Sequence, residues 1–109
     1  MQLRTAPFDA ERAYAAAHDS LTGLPNREHL AAIVDAMADE SRGDLGLVVV
    51  KIDALDVVDA VHGRHVGDGI VVEVARRVER VVGPWAVMGQ LERDRFALLL
   101  PRELAPHVL

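Results

Sequence analysis

The sequence predicts an α/β (α+β) domain with a three-stranded sheet, and three observations carry that expectation. Leu45 to Val50 is an unbroken apolar run rich in β-branched residues. Such a run suits a strand buried on both faces, although the pattern alone also fits a buried helix. Two longer segments, one from Arg27 and one past Gly67, repeat apolar residues at helical spacing. Near the end, Trp85 to Leu91 and Phe96 to Leu100 enclose the charged tip Glu92-Arg93-Asp94-Arg95, which reads as a β-hairpin.

Each element has a local rationale. Asp9 is a good N-cap for the Ala-rich stretch Ala10 to His18, which predicts a lead-in helix. Asp19 to Arg27 is a loop, punctuated by Gly23 and Pro25, and Asn26 can cap the helix that follows. In that helix, Leu30, Ile33, Val34 and Met37 form one buried stripe as far as about Asp39. Glu40 to Asp44 is a polar turn into the strand. Lys51-Ile52-Asp53 then ends the apolar run with charge, at the carboxyl end where open α/β sheets place ligands. Leu55, Val58 and Val61 predict a short helix stopped by Gly63, and Gly67-Asp68 opens the next one. There Val71, Val74, Ala75, Val78 and Val82 make the apolar stripe, with Gly83-Pro84 as terminator. Valine is a mediocre helix former, so this helix depends on packing.

Composition narrows the function classes. The chain has 109 residues, half of them apolar and 27% charged, enough for one domain with one core. No apolar run approaches the roughly 18 residues of a membrane span. The N-terminal residues lack an apolar signal core, and cysteine is absent, which suits a cytoplasmic protein without disulfides or thiolate metal sites. A net charge of −5 and only four aromatic residues, Phe8, Tyr14, Trp85 and Phe96, argue against nucleic-acid binding. Ser20 and Thr22 have no neighbouring base, so nucleophilic catalysis is unsupported. His62 and His65 lie on either side of Gly63 and need not share a face with Asp59 as a metal cluster.

Three strings in order resemble the N-terminal part of a GGDEF domain, the module of diguanylate cyclases, over about Asp19 to Pro101. DSLTGLPNR, Asp19 to Arg27, is similar to the family's opening loop almost letter for letter. KIDALDVVDAVHGRHVGD, Lys51 to Asp68, is similar to its metal and guanine stretch, usually close to DIDxFKxINDxxGHxxGD. QLERDRFALLLP, Gln90 to Pro101, stands in the place of the signature hairpin, usually RxGGDEFxxxxP. The resemblance implies a truncated ferredoxin-like, nucleotidyl-cyclase palm fold with helices on one face of the sheet. It divides the chain into a lead-in helix over residues 1–18, a degenerate GGDEF-like domain over 19–101 and a short tail over 102–109. It also implies that the strand from Gly46 to Asp53 lies between the hairpin's second strand and one from a part of the family fold beyond this sequence.

The departures from the family pattern fall on its chemistry. Lys51 stands at a metal-binding Asp, and an ammonium cannot ligate Mg²⁺. Asp59 stands at the guanine-reading Asn and loses a donor, while Asp68 keeps the second guanine-contact position. Glu92 and Arg93 replace the paired glycines that let backbone approach phosphates. Asp94 keeps a metal-ligand position, and Arg95 replaces the acid associated with catalysis. Gly83 to Ala86 stands where the family has its RxxD inhibition site. The expectation is a non-catalytic domain with no catalytic residues and no cofactor, though active members use Mg²⁺ and GTP. It would act by protein association, as a homodimer or with a protein partner. The alternative is a guanine-nucleotide sensor without turnover. Vestigial nucleotide contacts would be Asp59, Asp68, Arg93 and Arg95, and the vestigial metal contact Asp94. Each also has a plainer reading: Asp68 as a cap, Asp94 and the arginines as a charged turn, and Asp53, Asp56 and Asp59 as a solvated edge.

Overall fold

Phe96, Leu98 and Leu100 alternate with Ala97 and Leu99 along one strand, and all five are buried. A strand can bury both sets only if both faces of its sheet are covered. A computed structural model of the chain, describing residues 6–41 and 45–101, shows how this happens. The elements in order are α1 (Ala6–Ala17), α2 (Arg27–Ser41), β1 (Leu45–Lys51), α3 (Leu55–His62), α4 (Arg64–Val82), a 3₁₀ turn (Gly83–Trp85), β2 (Val87–Glu92) and β3 (Arg95–Pro101). The sheet is antiparallel in the order β1-β3-β2, so β3 is its centre.

On one face, Phe96, Leu98 and Met88 pack against Val71, Ala75 and Val82 of α4 and Leu55 of α3. Fully burying Phe96, Leu100 and Val71 contributes ~1.5–3 kcal/mol apiece. This packing, rather than helix propensity, holds the valine-rich α4 together. On the other face, Leu30 of α2 meets Ala97 and Leu99, with Ile33, Val34, Val87 and Leu91 around them. Gly89 of β2 admits the close approach of α2, since a Cβ there would come within 2.8 Å of both Leu30 methyl carbons. The expected helices on one face are therefore corrected: α2 and α4 cover opposite faces. Both helical stripes were legible, but nothing local says which face of a sheet a stripe covers.

The apolar run of β1 is not buried on both faces. Its residues alternate, with Leu47 64% and Val49 52% exposed, while Val48 and Val50 join the α4-side core. α2 covers Ala97 and Leu99 but leaves the adjacent ends of Leu47 and Val49 open. Among the described residues the second edge of β1 has no partner.

Several boundaries move. α1 starts at Ala6, so Asp9 lies in its first turn instead of capping it. α4 starts at Arg64, with Gly63 as N-cap and no side-chain cap, so Gly67 and Asp68 lie within the helix. Trp85 belongs to the 3₁₀ turn, 57% exposed, and not to β2. The Asn26 cap holds: its Oδ1 accepts from His29 N–H at 3.0 Å. The polar turn ahead of β1 falls partly, and the tail at 102–109 wholly, outside the described residues. Among the described residues no helix is long and apolar enough to cross a membrane.

Candidate functional site

The opening loop is built by one carboxylate. Asp19 Oδ1 accepts from the N–H groups of Leu21 at 2.8 Å and Thr22 at 3.0 Å, folding the chain back on itself. Gly23 completes the turn at φ 77°, a left-handed conformation that suits glycine. The loop is then fastened to the hairpin. Buried Thr22 donates its hydroxyl to Gln90 Oε1, and Gln90 N–H donates to Pro25 O at 2.8 Å. It is fastened to α4 as well, since Arg76 Nη2 donates to Thr22 O at 2.6 Å. Gln90 and Arg76 were not singled out in the sequence, and Thr22 was weighed only as a nucleophile, because their partners lie far along the chain.

Between this loop, the starts of α2 and α4, and the hairpin lies a cleft of 590 Å³. Arg27, Arg64, Asp68, Glu92 and Arg93 are among its lining residues. Arg27 and Glu92 pair across one side at 3.4 Å, and Arg64 approaches Asp68 at 3.7 Å on the other. These exposed pairs contribute little stability.

Arg93 behaves differently. A β-bulge between Gln90 and Glu92 shifts the register next to the tip, and Gln90 Nε2 donates to Arg93 O at 3.2 Å. The guanidinium reaches α3, where Nη1 donates to Asp59 Oδ2 at 2.6 Å and Nη2 to Asp59 Oδ1 at 2.9 Å. On its other edge, Nε and Nη2 donate to Asp68 Oδ1 at 3.0 and 2.8 Å. Side-chain exposure is only 23% for both Arg93 and Asp59. The Arg93 hydrogen bond, followed by Coulomb attraction from Arg93 and Arg64, holds the Asp59 carboxyl below its ordinary pKa against desolvation. Arg93 in turn is held more firmly protonated than usual, first by Asp59 and then by Asp68.

Gly67 makes the cluster fit. A Cβ there would overlap Asp59 Oδ1 and lie 2.8 Å from Arg93 Nη2, so only glycine lets α4 come this close. Asp59, Asp68 and Arg93, three of the four expected nucleotide contacts, are thus brought together. Asp59 is drawn out of the solvated edge expected for it, while Asp53 and Asp56 stay exposed.

Arg95, the fourth, lies elsewhere: it faces Lys51 as its cross-strand partner between β1 and β3. Its Nε is buried with no hydrogen-bond partner. Asp94 turns at the hairpin tip, where its carbonyl accepts from Ile52 N–H at 2.8 Å. Among the described residues, no three His, Asp or Glu side chains converge closely enough to hold a metal ion.

An antiparallel sheet with β3 central, α2 and α4 on opposite faces and the opening loop, β1 end and hairpin at one rim is the nucleotidyl-cyclase palm. The chain belongs to the GGDEF family: residues 16–107 match the profile described as diguanylate cyclase, GGDEF domain. It is similar to the bifunctional diguanylate cyclase/cyclic di-GMP phosphodiesterase MucR of Pseudomonas aeruginosa, 34% identical over 90 residues. That alignment covers 78% of this chain and 13% of MucR. Among solved structures, the coiled coil and GGDEF domain of DgcB from Caulobacter crescentus, in complex with c-di-GMP, superposes with a TM-score of 0.79 at 30% identity. It covers 98% of this chain and 56% of that one. The diguanylate cyclase SiaD of Pseudomonas aeruginosa, solved in complex with its activator SiaC, gives a TM-score of 0.76 at 28% identity. The match covers 98% of this chain and 44% of that chain.

Proposed function

We propose that this GGDEF domain does not turn over GTP and serves cyclic di-GMP signalling in the cytoplasm through protein association, as a homodimer or with a partner protein. The observation that carries this reading is the Lys51–Arg95 pair. It stands at the strand ends where the family resemblance implies metal-binding and catalytic acids. Ammonium and guanidinium groups have donors only and offer no lone pair to a cation. Two positive charges side by side also raise the energy of a divalent ion between them. Asp94 is the one acid left at an expected ligand position, so the residues present do not fit a Mg²⁺ site. Glu92 and Arg93 further put side chains where phosphate would need to approach backbone.

Association is supported by the exposed Leu47 and Val49 beside the open edge of β1. The structure of SiaD with its activator is a precedent for a protein partner in a relative. A second reading, guanine nucleotide held without turnover, is favoured by the cleft beside Asp68. Incubation with GTP and Mg²⁺ or Mn²⁺, followed by chromatography, is expected to yield no cyclic di-GMP. Protein-dependent formation of that product would overturn the non-catalytic assignment. Calorimetric titration with GTP separates the two readings, since saturable heat is expected only of the sensor.

A further inference from the structure

Of the 12 lysine and arginine residues in the chain, Lys51 is the only lysine, so it carries the only ε-amino group. It is exposed at the end of β1, directly opposite Arg95 of β3. Residues paired in this way have Cβ atoms about 5 Å apart. Arg27, Arg64, Arg76, Arg77, Arg80 and Arg93 each reach a carboxylate. Lys51 and Arg95 do not. Neither side chain has a hydrogen-bond or ion-pair partner among the described residues, and half-buried Arg95 has a buried Nε. Glu92, opposite Arg95 on the other ladder, gives its carboxylate to Arg27 at 3.4 Å. A chain of net charge −5 thus keeps two unneutralised cations side by side, one of them a primary amine.

We propose that Lys51 is an acylation site whose donor is an acyl phosphate, with Arg95 holding the phosphoryl end. Such a mixed anhydride carries its negative charge on phosphate, which a guanidinium binds through charge-assisted hydrogen bonds. With phosphate on Arg95, the acyl carbonyl comes within reach of the neighbouring amine, and holding the two together accelerates the reaction. The neutral amine attacks the carbonyl carbon. A C–N bond forms, the C–O bond to phosphate breaks, phosphate leaves with the electron pair, and water takes the proton from nitrogen. Arginine stays protonated and is not acylated, so the reaction has a single side-chain target in this chain. The amide product is uncharged, which relieves the like-charge repulsion at the end of the β1–β3 ladder. Acylation therefore switches the charge of the sheet rim next to the open edge of β1. The site stands on the Lys51–Arg95 pair alone and does not depend on whether the domain turns over nucleotide.

The test treats wild type and Arg95→Met with acetyl phosphate or, separately, with the N-hydroxysuccinimide ester of acetic acid, which has no phosphate. Acetylation of Lys51 is followed by mass spectrometry of the digested protein, with the α-amino group of the chain as internal reference. The ester reports the intrinsic reactivity of the amine in each protein. The ratio of the acetyl phosphate rate to the ester rate is expected to fall at least about tenfold in Arg95→Met. Added inorganic phosphate should slow the acetyl phosphate reaction of wild type and leave the ester reaction unchanged. Acetylated wild type should unfold at a higher urea midpoint than the unmodified protein, and Lys51→Gln, which carries a neutral amide, should match it. Arg95→Gln takes the place of the methionine variant if that does not fold. The proposal is overturned if the rate ratio is the same with and without Arg95, or if phosphate fails to compete. An unchanged urea midpoint on acetylation overturns the charge-relief half.

Discussion

Lys51 and Arg95 face one another as cross-strand partners, where like charges destabilise an antiparallel pair. The buried, unpartnered Nε of Arg95 adds a desolvation cost. Lys51→Glu leaves Arg95 opposite its other cross-strand partner, Glu92 of β2, and places opposite charges across the β1 ladder. It is expected to stabilise the domain by ~0.2–1 kcal/mol, read as a higher urea midpoint with an unchanged slope. Arg95→Glu should bring less, because the same change sets a carboxylate opposite Glu92. The two together should bring no gain, with carboxylates opposite each other on both ladders. A Lys51→Glu protein no more stable than wild type would show that the facing cations cost nothing. Such a pair is poor for stability and for metal binding alike.

At the scale of one element, α4 holds two glycines whose surroundings differ. Gly67 is buried against Asp59 and Arg93, whereas Gly69, two residues on, has nothing within 4 Å of where a Cβ would stand. Gly69→Ala should therefore stabilise by ~0.5–1 kcal/mol, the ordinary helix-interior gain. Gly67→Ala should destabilise by ~1–3 kcal/mol instead, because the added methyl forces α3 or the Arg93 side chain aside. Thermal melts of the two variants check this, and equal shifts would mean that the approach at Gly67 is looser than described. The same glycine marks the limit of what the sequence discloses. Valine periodicity was enough to find α4, since Val71 and Ala75 recur on one face. Its start was misread at Gly67-Asp68, because a Gly-Asp pair imitates a helix opening when its contact with Asp59 is out of view. The hairpin was legible as two apolar runs around a charged tip. The reach of Arg93 to Asp59 and Asp68 was not, because it crosses 34 and 25 residues of sequence. Only tertiary structure could show which of the four tip charges reaches α3 and α4. β1 misled in a similar way: its β-branched composition is that of a central strand, yet its burial is that of an edge.

Over the molecule as a whole, β3 carries both layers of the core, and among the described residues β1 is left with an open edge and two exposed apolar side chains, Leu47 and Val49. Natural sheets usually cover or charge such an edge. The chain is expected to sediment at micromolar concentration as a dimer or larger species. Leu47→Lys with Val49→Lys should return it to a monomer while changing intrinsic stability by no more than ~0.5 kcal/mol per exposed site. A wild-type monomer with a sharp thermal transition would rule out self-association through this edge. The strand order has another consequence, one of timing. β1 and β2 are not paired with each other, and among the described residues each finds its ladder partner only in β3. During synthesis, then, β1 leaves the ribosome with no strand to join and waits while α3 and α4 are made. No part of the sheet can close before residue 95 emerges, and both ladders become available together once β3 follows. A nascent chain stalled before that point should remain protease-sensitive from β1 onward, and one stalled well after it should become resistant along its whole sheet in a single step.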